Sequence, residues 1–529
     1  MIAALASDFT PATFDYAALS PLFIVLGVAV VGVLVEAFVP RRSRYALQVA
    51  LTLVGLVAAF LVLVLVSVHH QTATAGLKEI GGAVLGSVVI DGPSLFLQGG
   101  VLIFAIMGVL TMAETLGGVG ADAFTPMGSA TPGSPQETLA LRAGAMTSEV
   151  FPLTLFAVAG MMLFPAAGDL LTMFIALEVL SMPLYLLTGL ARRRRLISQE
   201  ASLKYFLLGS FSSAFFLFGT ALLFGYSGSV YLPDIAAAIP QGGTELQGLF
   251  VPGVVLVSVG LLFKVGAVPF HSWVPDVYQG APTPVTGFMA AATKLAAFGA
   301  ILRLVYVGIE AGRWDWMPGV AVVAILTMIV GAVLSVTQSD VKRLLAYSSV
   351  AHAGFILVGV LAFDKAGVSG VMFYLIAYGL ATIAAFGIVG LVRADGAEAT
   401  HLSQWAGLGR RHPWTAATFA FLLLAFAGIP LTSGFTAKFA VFEPALRSGA
   451  TGTIMVVVGL LSSAITVFVY GRIIVLMYFT DSQSDAVTVV TPSVMTTIAI
   501  TFGAALTLVL GVYPSVLLQI AGNSSQFLR

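Results

Sequence analysis

Apolar segments of about 20 residues recur along the whole chain and are separated by short polar connections. Each segment is long enough to cross a hydrocarbon core of roughly 30 Å as a helix. Such long continuous runs exclude a β-barrel, whose strands alternate between apolar and polar positions. The pattern therefore predicts an all-α membrane protein with about 14 transmembrane helices, which begin near residues 20, 46, 94, 149, 168, 202, 249, 283, 317, 341, 367, 413, 453 and 492.

Two of these segments are too long and too interrupted to form simple helices. The seventh, Gly253–Phe288, contains four prolines, and proline breaks a helix because it removes a backbone donor. The twelfth, Pro413–Leu446, would be about 50 Å long as one helix and is interrupted at Gly428–Pro430. Two broken helices, five segments apart, are typical of inverted repeats with the transport site at the breaks. We therefore predict two inverted five-helix repeats and two broken helices.

The predicted organisation has four parts. Residues 1–148 contain helices one to three and a surface loop, residues 149–310 form the first repeat (helices four to eight), residues 317–480 form the second, inverted repeat (helices nine to thirteen), and residues 492–529 contain helix fourteen. The loop Gly117–Ser148 is rich in Gly, Ser, Thr and Pro, with a short helix predicted at Gln136–Ala145. Because Met1–Leu19 lacks a basic region, we do not expect a cleaved signal peptide.

The composition narrows the possible functions. Only 9% of residues are charged, where a soluble domain carries about 25%. Lys plus Arg equals Asp plus Glu at 24 each, so no charge excess indicates nucleic acid as a partner. The chain has no cysteine, which excludes iron–sulfur clusters and Cys-ligated zinc of its own. We therefore expect no cofactor or metal in this chain.

Basic residues fall mainly in one of the two sets of loops. One set contains 13, namely Arg41, Arg42, Arg44, Arg142, Arg192 to Arg195, Lys342, Arg343, Arg393, Arg410 and Arg411, and the other contains 5, namely Lys78, Arg313, Lys365, Arg447 and Arg529. Because basic loops stay in the cytoplasm, both termini are predicted outside a bacterial inner membrane. The run Arg192–Arg195 is interpreted as a topology anchor, with an anionic-lipid site as the alternative.

One carboxylate and one lysine in the apolar segments suggest a proton switch. Glu178 lies near the middle of helix five, where a lone carboxylate must be protonated, paired or hydrated. Lys264 lies five residues before Pro269, beside the first break. Burial favours the neutral amine and a nearby carboxylate favours the ammonium ion, so a Lys264–Glu178 pair of variable separation would bind and release a proton. A hydrogen-bonded structural glutamic acid and a structural ion pair are the alternatives.

Further ionisable side chains extend this hypothesis. Lys294 and Lys438 also lie near the middle of apolar segments, too deep for the amines to reach water, and several lysines at similar depth favour a relay over separate ion pairs. Lys204 is nearer a helix end, so its side chain either joins the relay or reaches the membrane surface. His352 is either a proton relay or a core histidine, and His271 serves either proton access or loop structure.

Four other charged residues in apolar segments lie closer to helix ends. We expect structural roles for Glu36, Arg303 and Arg472, and we expect Glu114 to face a neighbouring subunit.

Three stretches resemble the antiporter-like subunits of respiratory complex I. They are Val268–Lys294 (VPFHSWVPDVYQGAPTPVTGFMAAATK), Ser339–Phe355 and Ala425–Phe439, and the resemblance extends over nearly the whole chain. Among those subunits the chain is most similar to the subunit N type. It ends just after helix fourteen, without the long lateral helix of the L type, and Lys438 stands where the M type would place a glutamate.

The resemblance implies a proton-translocating, non-redox subunit of an NADH:quinone oxidoreductase. NADH, FMN, iron–sulfur clusters and quinone would then belong to partner subunits. The expected neighbours are M-like and K/J-like membrane subunits, the lateral helix of an L-like subunit, and the lipid bilayer. A cation/proton antiporter subunit, the membrane arm of an energy-converting hydrogenase and a structural scaffold remain as alternatives.

The resemblance also implies individual roles. Glu178 corresponds to the family's modulating glutamate and Lys264 to the lysine that it modulates. Lys294 corresponds to the bridging lysine, Lys438 to the terminal lysine, and Lys204 to an additional lysine of helix six.

Overall fold

The computed structural model describes residues 15–72, 86–115, 122–125, 130–131, 134–142, 146–242, 246–394, 396–481 and 487–528. The predictions for the first fourteen residues, for Lys78 and Arg529, and for most of the loop Gly117–Ser148 lie outside these residues. Within that loop the predicted short helix is present at Pro135–Arg142.

The described part of the chain is almost entirely helical. Its helices are α1 (Tyr16–Phe38), α2 (Arg41–Thr72), α3 (Gly92–Met112), α4 (Pro135–Arg142), α5 (Val150–Leu163), α6 (Leu170–Thr188), α7 (Arg195–Ser227), α8 (Leu232–Ala238), α9 (Phe250–Val265), α10 (Trp273–Gly280), α11 (Thr283–Gly308), α12 (Arg313–Val336), α13 (Val341–Val360), α14 (Lys365–Leu391), α15 (Leu408–Arg411), α16 (Pro413–Ala427), α17 (Ser433–Leu446), α18 (Ala450–Phe479), α19 (Val494–Val512) and α20 (Ser515–Asn523).

Eleven of these helices are long and apolar enough to cross a membrane, and the shorter apolar helices α5, α9 and α16 bring the total to fourteen spans. The prediction of about 14 transmembrane helices is therefore confirmed. Most observed helices begin within about four residues of the predicted position. Helix α7 differs, since it begins at Arg195 rather than near residue 202. Polar residues in its first two turns, namely Ser198, Gln199 and Glu200, precede its apolar segment.

Both predicted breaks are present, and both begin at a glycine. Helix α9 ends at Gly266 and α16 ends at Gly428, with φ angles of +76° and +81°. This left-handed conformation ends a helix and favours glycine, which has no Cβ to clash with the backbone. The chain resumes as α10 after the first break and as α17 after the second, so each broken span leaves backbone carbonyls without intrahelical partners inside the bundle.

A close contact between two helices recurs in both halves of the bundle. A Cβ atom at Gly160 of α5 would lie 2.4 Å from the backbone nitrogen of Leu180 in α6. A Cβ atom at Gly331 of α12 would lie at the same 2.4 Å from the backbone nitrogen of Ala351 in α13. Since real Cβ atoms do not approach this closely, both helix pairs need glycine at the crossing.

The helix that follows each close contact begins in the same way. The Asp169 carboxylate accepts the backbone N–H of Thr172 at 2.7 Å at the start of α6. The Asp340 carboxylate accepts the backbone N–H of Arg343 at 3.1 Å at the start of α13. Both aspartates thus satisfy amides that a helix start leaves unpaired.

An arginine near the end of the last helix of each half bonds the end of that half's first helix. Arg303 donates to the Pro165 carbonyl at 2.5 Å, just after α5. Arg472 donates to the Val336 carbonyl at 2.8 Å, at the end of α12. The two halves therefore share three local arrangements, and the structural roles expected for both arginines agree with these contacts.

Helices α11, α13 and α14 form the centre of the bundle. They are buried almost throughout, whereas α1, α2, α7, α12, α18 and α19 keep most of their surface on the outside. Large apolar side chains cover that outer surface, such as Leu65, Phe211 and Leu461. A small antiparallel sheet, in the order β2 (Ala397–Glu398), β1 (Val392–Ala394), β3 (Val487–Val489), lies at one end.

Candidate functional site

Lys264 lies in the last turn of α9, directly before the first break, and is buried. Its amine donates to the Ser181 hydroxyl at 2.8 Å and to the Tyr205 hydroxyl at 3.1 Å. The amine also lies 5.0 Å from the centre of the Tyr205 ring and 5.8 Å from that of Tyr185. Two hydroxyls and two aromatic faces can thus hold the ammonium ion without a carboxylate in direct contact.

Glu178 and Lys264, for which a pair of variable separation is predicted, have their side chains out of contact in this structure. No ion pair joins the two within the described residues, and the buried Oε1 of Glu178 has no hydrogen-bond partner there. Ser181, one turn further along α6, takes the position next to the amine, and its hydroxyl donates to the Leu177 carbonyl. Glu178 is still close enough for its charge to act on Lys264. The carboxylate therefore lies near Lys264 without contacting it.

Lys294 lies in the fully buried helix α11, directly after a π-helical turn at Met289–Thr293. Its amine donates to the backbone carbonyl of Ser349 in α13 and lies 5.9 Å from the centre of the Tyr378 ring of α14. The Ser349 hydroxyl lies 3.4 Å from the Tyr278 hydroxyl. No carboxylate pairs with Lys294 in the part of the chain that the structure describes.

Stacked aromatic rings connect the surroundings of Lys264 and Lys294. The Tyr205 ring stacks on Trp273 at 4.6 Å, and Trp273 lies edge-on to Tyr278 at 6.4 Å. Tyr278 in turn reaches Ser349, whose carbonyl accepts from Lys294. The first break thus brings Trp273 and Tyr278 of α10 between the two lysines.

His352 lies at the centre of the bundle on α13. Its Nδ1 is 2.7 Å from the Tyr374 hydroxyl, while its buried Nε2 has no partner among the described residues. The imidazole ring lies 4.6 Å from Tyr378, the ring beside Lys294, and 5.9 Å from Phe426, whose carbonyl accepts from Lys438. His352 therefore lies between Lys294 and Lys438, and the charges of both act on it.

Lys438 lies on α17, just after the second break, and is buried. Its amine donates to the Ala427 carbonyl at 2.8 Å, to the Phe426 carbonyl at 3.2 Å and to the Ser463 hydroxyl at 2.7 Å. Both carbonyls belong to the last residues of α16, where the break removes their intrahelical partners. The break therefore supplies the ligands of this ammonium ion.

Lys204 lies apart from the other lysines, in a partly exposed cluster of charges. Its amine pairs with Glu200 at 2.7 Å and with Asp276 at 2.8 Å, and Asp276 also pairs with Arg343 at 2.6 Å. Its side chain is 42% exposed. His271 lies within the first break, half-buried, with its ring 6.4 Å from that of Tyr347.

Glu114, which we expect to face a neighbouring subunit, bonds to the start of a helix of its own chain. Its buried carboxylate accepts the backbone N–H of Ser493 at 2.9 Å and the Ser493 hydroxyl at 2.7 Å, at the start of α19. Glu36 has the expected structural role, since it pairs with Arg44 at 3.3 Å and accepts from Gln48 at 2.8 Å.

Sequence reasoning missed the hydroxyl groups of the site. Ser181, Tyr205, Tyr374 and Tyr378 all lie in apolar segments, and only their position relative to the lysines gives them a role. The available signal is helical spacing, because Ser181 follows Glu178 by three residues. Among the described residues, no group of three or more His, Asp or Glu side chains is placed to hold a metal ion.

The comparisons with known proteins give consistent results. The family described as "NADH:quinone oxidoreductase/Mrp antiporter, TM" matches residues 167–466. The chain is 58% identical to NADH-quinone oxidoreductase subunit N of Rhodococcus opacus (strain B4), over 97% of this chain and 96% of that protein. A chain of respiratory complex I from Thermus thermophilus is 31% identical with a TM-score of 0.73, over 95% and 99% of the two chains. A chain of the Mrp complex from Dietzia sp. DQ12-45-1b has the same fold, with 22% identity, a TM-score of 0.73 and 97% of each chain covered.

Proposed function

Because this chain belongs to the NADH-quinone oxidoreductase subunit N family, the antiporter-like membrane subunits of bacterial complex I, we propose that its buried lysines carry protons across the membrane. Other subunits of complex I are its partners. We infer that electron transfer from NADH to quinone takes place in those subunits and that this chain holds no cofactor.

One observation supports the proposal above all others, namely the continuous line of buried groups between the two breaks. Lys264, Lys294 and Lys438 are each at most 7% exposed, and each amine is held by hydroxyls, carbonyls or aromatic rings. A buried charged lysine is costly unless it is paired, and none of these has a carboxylate partner within the described residues. Amines in such surroundings can gain and lose protons at modest energetic cost.

The switch is proposed to be Glu178. A conformational or electrostatic change elsewhere in the complex would move this carboxylate toward Lys264 or away from it. With the carboxylate close, Lys264 keeps its proton; with it distant, Lys264 releases the proton. Moving one charge against 100 mV requires about 2.3 kcal/mol, and one pKa unit corresponds to about 1.4 kcal/mol, so a change of a few units suffices.

The proposed route continues from Lys294 to Lys438 through His352. Nε2 of His352 has no hydrogen-bond partner among the described residues and would take up the proton, while Nδ1 stays 2.7 Å from the Tyr374 hydroxyl. Release from Lys438 would follow when the carbonyls of the second break no longer hold its ammonium ion. In this proposal Lys204 anchors the start of α7 to α10 through Asp276, and His271 gives protons access at the first break.

Orientation and neighbours complete the proposal. The excess of basic residues in one set of loops supports a cytoplasmic location for those loops and an external location for both termini. The family supports M-like and K/J-like subunits and the lateral helix of an L-like subunit as neighbours.

The test replaces Lys264 with alanine in the assembled complex. The complex is reconstituted into proteoliposomes, where proton uptake and NADH oxidation are measured together. We expect the number of protons moved per NADH oxidised to fall, because the amine that accepts the proton is absent. Lys365→Ala, at an exposed lysine at the start of α14, is the matched control and should leave this ratio unchanged.

Full pumping by the Lys264→Ala variant would refute the proposal. A requirement for sodium ions in the same vesicles would instead favour cation/proton exchange.

A further inference from the structure

A cavity of about 360 Å³ lies at one end of the bundle, away from the line of lysines. Its walls are formed by two links, namely α6 to α7 and α10 to α11, by the first turn of α13, and by the sheet strands β1, β2 and β3. Both halves of the molecule therefore meet there, together with residues of the loop between α3 and α5. The relay proposed above does not use this cavity.

Basic side chains outnumber acidic ones in the walls. The lining contains Arg192, Arg193, Arg194, Lys342 and Arg393 against the acidic residues Asp122 and Glu398. The Asp122 carboxylate accepts the backbone N–H of Phe124 at 3.0 Å, and Glu398 pairs with Lys342 at 3.6 Å. Arg192 pairs with Glu137, outside the cavity, at 3.3 Å.

Three arginines of the cavity have no carboxylate partner in the part of the chain that the structure describes. Arg194 donates to the Thr400 hydroxyl at 2.8 Å, but neither it nor Arg193 nor Arg393 forms an ion pair there. The Nε of Arg393 is buried and has no hydrogen-bond acceptor among those residues. A buried donor without an acceptor destabilises the folded protein, and more so when it is charged.

Nearby charges also shift the pKa values of Arg393 and Glu398 in the cavity. Burial lowers the pKa of Arg393, the charge of Glu398 opposes this shift, and the nearby charges of Arg193 and Arg192 add to it. The charges of Lys342 and Arg393 hold the pKa of Glu398 below its usual value against the effect of burial. The Glu398 carboxylate is thus shared among Lys342, Arg393 and Arg194, so one negative charge faces three cations, and Arg193 is not among them.

We propose that this cavity binds a phosphate group, carried either by the headgroup of an anionic phospholipid or by free phosphate. A guanidinium presents a planar fork of N–H donors that matches the oxygens of phosphate, and two such forks from different halves would bind the group from two sides. Arg193 comes from the first half and Arg393 from the second. A bound phosphate would supply the missing acceptor for Arg393 and the missing negative charge for Arg193, and it would hold the two halves together at this end.

The test uses the purified, delipidated complex. Binding of phosphatidylglycerol and of phosphatidylcholine is counted by native mass spectrometry, and binding of radiolabelled inorganic phosphate is measured by equilibrium dialysis. The variant Arg193→Gln/Arg393→Gln removes two charges from the cavity. The control Arg410→Gln/Arg447→Gln removes two exposed, ion-paired arginines elsewhere.

We expect at least tenfold weaker binding of phosphatidylglycerol or of inorganic phosphate in the cavity variant and unchanged binding in the control. Preference for phosphatidylglycerol over phosphatidylcholine without binding of inorganic phosphate identifies a lipid headgroup, and saturable binding of inorganic phosphate identifies the free ion. If the double variant does not assemble, Arg193→Lys/Arg393→Lys keeps the charge but loses the fork, and we expect intermediate affinity. Equal binding of every probe by wild type and cavity variants would overturn the proposal.

Discussion

The two halves of the molecule share a backbone framework but differ in the side chains at its centre. In both, a glycine crossing, an aspartate cap and an arginine contact are in the same places, and a glycine in the left-handed region begins each break. Yet Ser181 and His352 each lie twelve residues after the capping aspartate of their half, Asp169 or Asp340. Ser181 bonds to Lys264, whereas His352 lies between Lys294 and Lys438.

The difference extends to the carboxylate. Glu178 lies nine residues after Asp169, while the residue nine after Asp340 is Ser349, whose carbonyl accepts from Lys294. The first half thus places a carboxylate near its lysine without contact, and the second half places a neutral residue at the same position. The comparison teaches that the shared framework sets where a side chain lies, while the local sequence decides which chemical group occupies that position.

The largest effect is expected at the two arginines, of which only Arg303 pairs with a carboxylate among the described residues. Arg303 forms a buried ion pair with Asp91 at 2.6 Å, whereas Arg472 bonds to backbone carbonyls only. Arg303→Gln leaves the Asp91 charge buried and unpaired, which costs about 3–5 kcal/mol. Arg472→Gln loses hydrogen bonds alone and should cost about 1–3 kcal/mol. The thermal stability of the detergent-solubilised complex measures both.

A second variant separates the effect of the unpaired Asp91 charge from the effect of the lost hydrogen bonds. Asp91→Asn combined with Arg303→Gln removes both charges and should recover part of the stability lost in Arg303→Gln alone. If the single and double variants are equally destabilised, the ion pair does not distinguish the two halves.

The next largest effect is expected on proton transfer, at Ser181 and His352. His352→Phe removes the titratable group between Lys294 and Lys438, and we expect proton transfer to slow by about a hundredfold, the lower end for loss of an acid–base group. Ser181→Ala removes one hydrogen bond to Lys264 and should slow transfer by about tenfold, since a hydrogen bond to a charged group contributes about 1.5–3 kcal/mol. Proton pumping and NADH oxidation in proteoliposomes measure both.

Tyr374→Phe is the control for this pair, because it keeps the imidazole and removes only the partner of Nδ1. We expect a smaller loss than for His352→Phe. Equal rates for His352→Phe and wild type would show that the second half does not use the imidazole.

The smallest effect tests the shared framework itself. Gly160→Ala and Gly331→Ala should each destabilise the protein by about 1–3 kcal/mol, because the added Cβ meets backbone atoms that cannot move aside cheaply. Gly319→Ala, on the same helix as Gly331, meets nothing within 4 Å and should be neutral or stabilising. Melting temperatures of the three variants measure the difference, and a tolerated alanine at one crossing only would show that the halves are packed differently.

The number of helices and both breaks could be predicted from the sequence, because apolar length and proline or glycine positions determine them locally. Lys264, Lys294, His352 and Lys438 could also be selected, since charged groups in apolar segments are rare. The partners could not be predicted. Ser181 is 83 residues from Lys264, and its contact depends on how α6 is rotated against α9. The same reason explains Glu114, whose partner Ser493 is 379 residues away.

The π-helical turn before Lys294 affects how the chain tolerates insertions and deletions. A π-turn contains one more residue than the turn of an α-helix, so everything beyond it is displaced by one position on the helix surface. Deleting a single residue such as Ala291 would restore α-helical geometry and leave Lys294 directed toward Ser349, because the π-turn holds the extra residue. Deleting a residue of the α-helical turn before it, such as Val285, would instead rotate Lys294 by about 100° and point the amine away from Ser349, although no charged or polar residue had been changed. An alignment of the two halves must accordingly place a gap in this turn, or it will pair the wrong faces of α11 and α18.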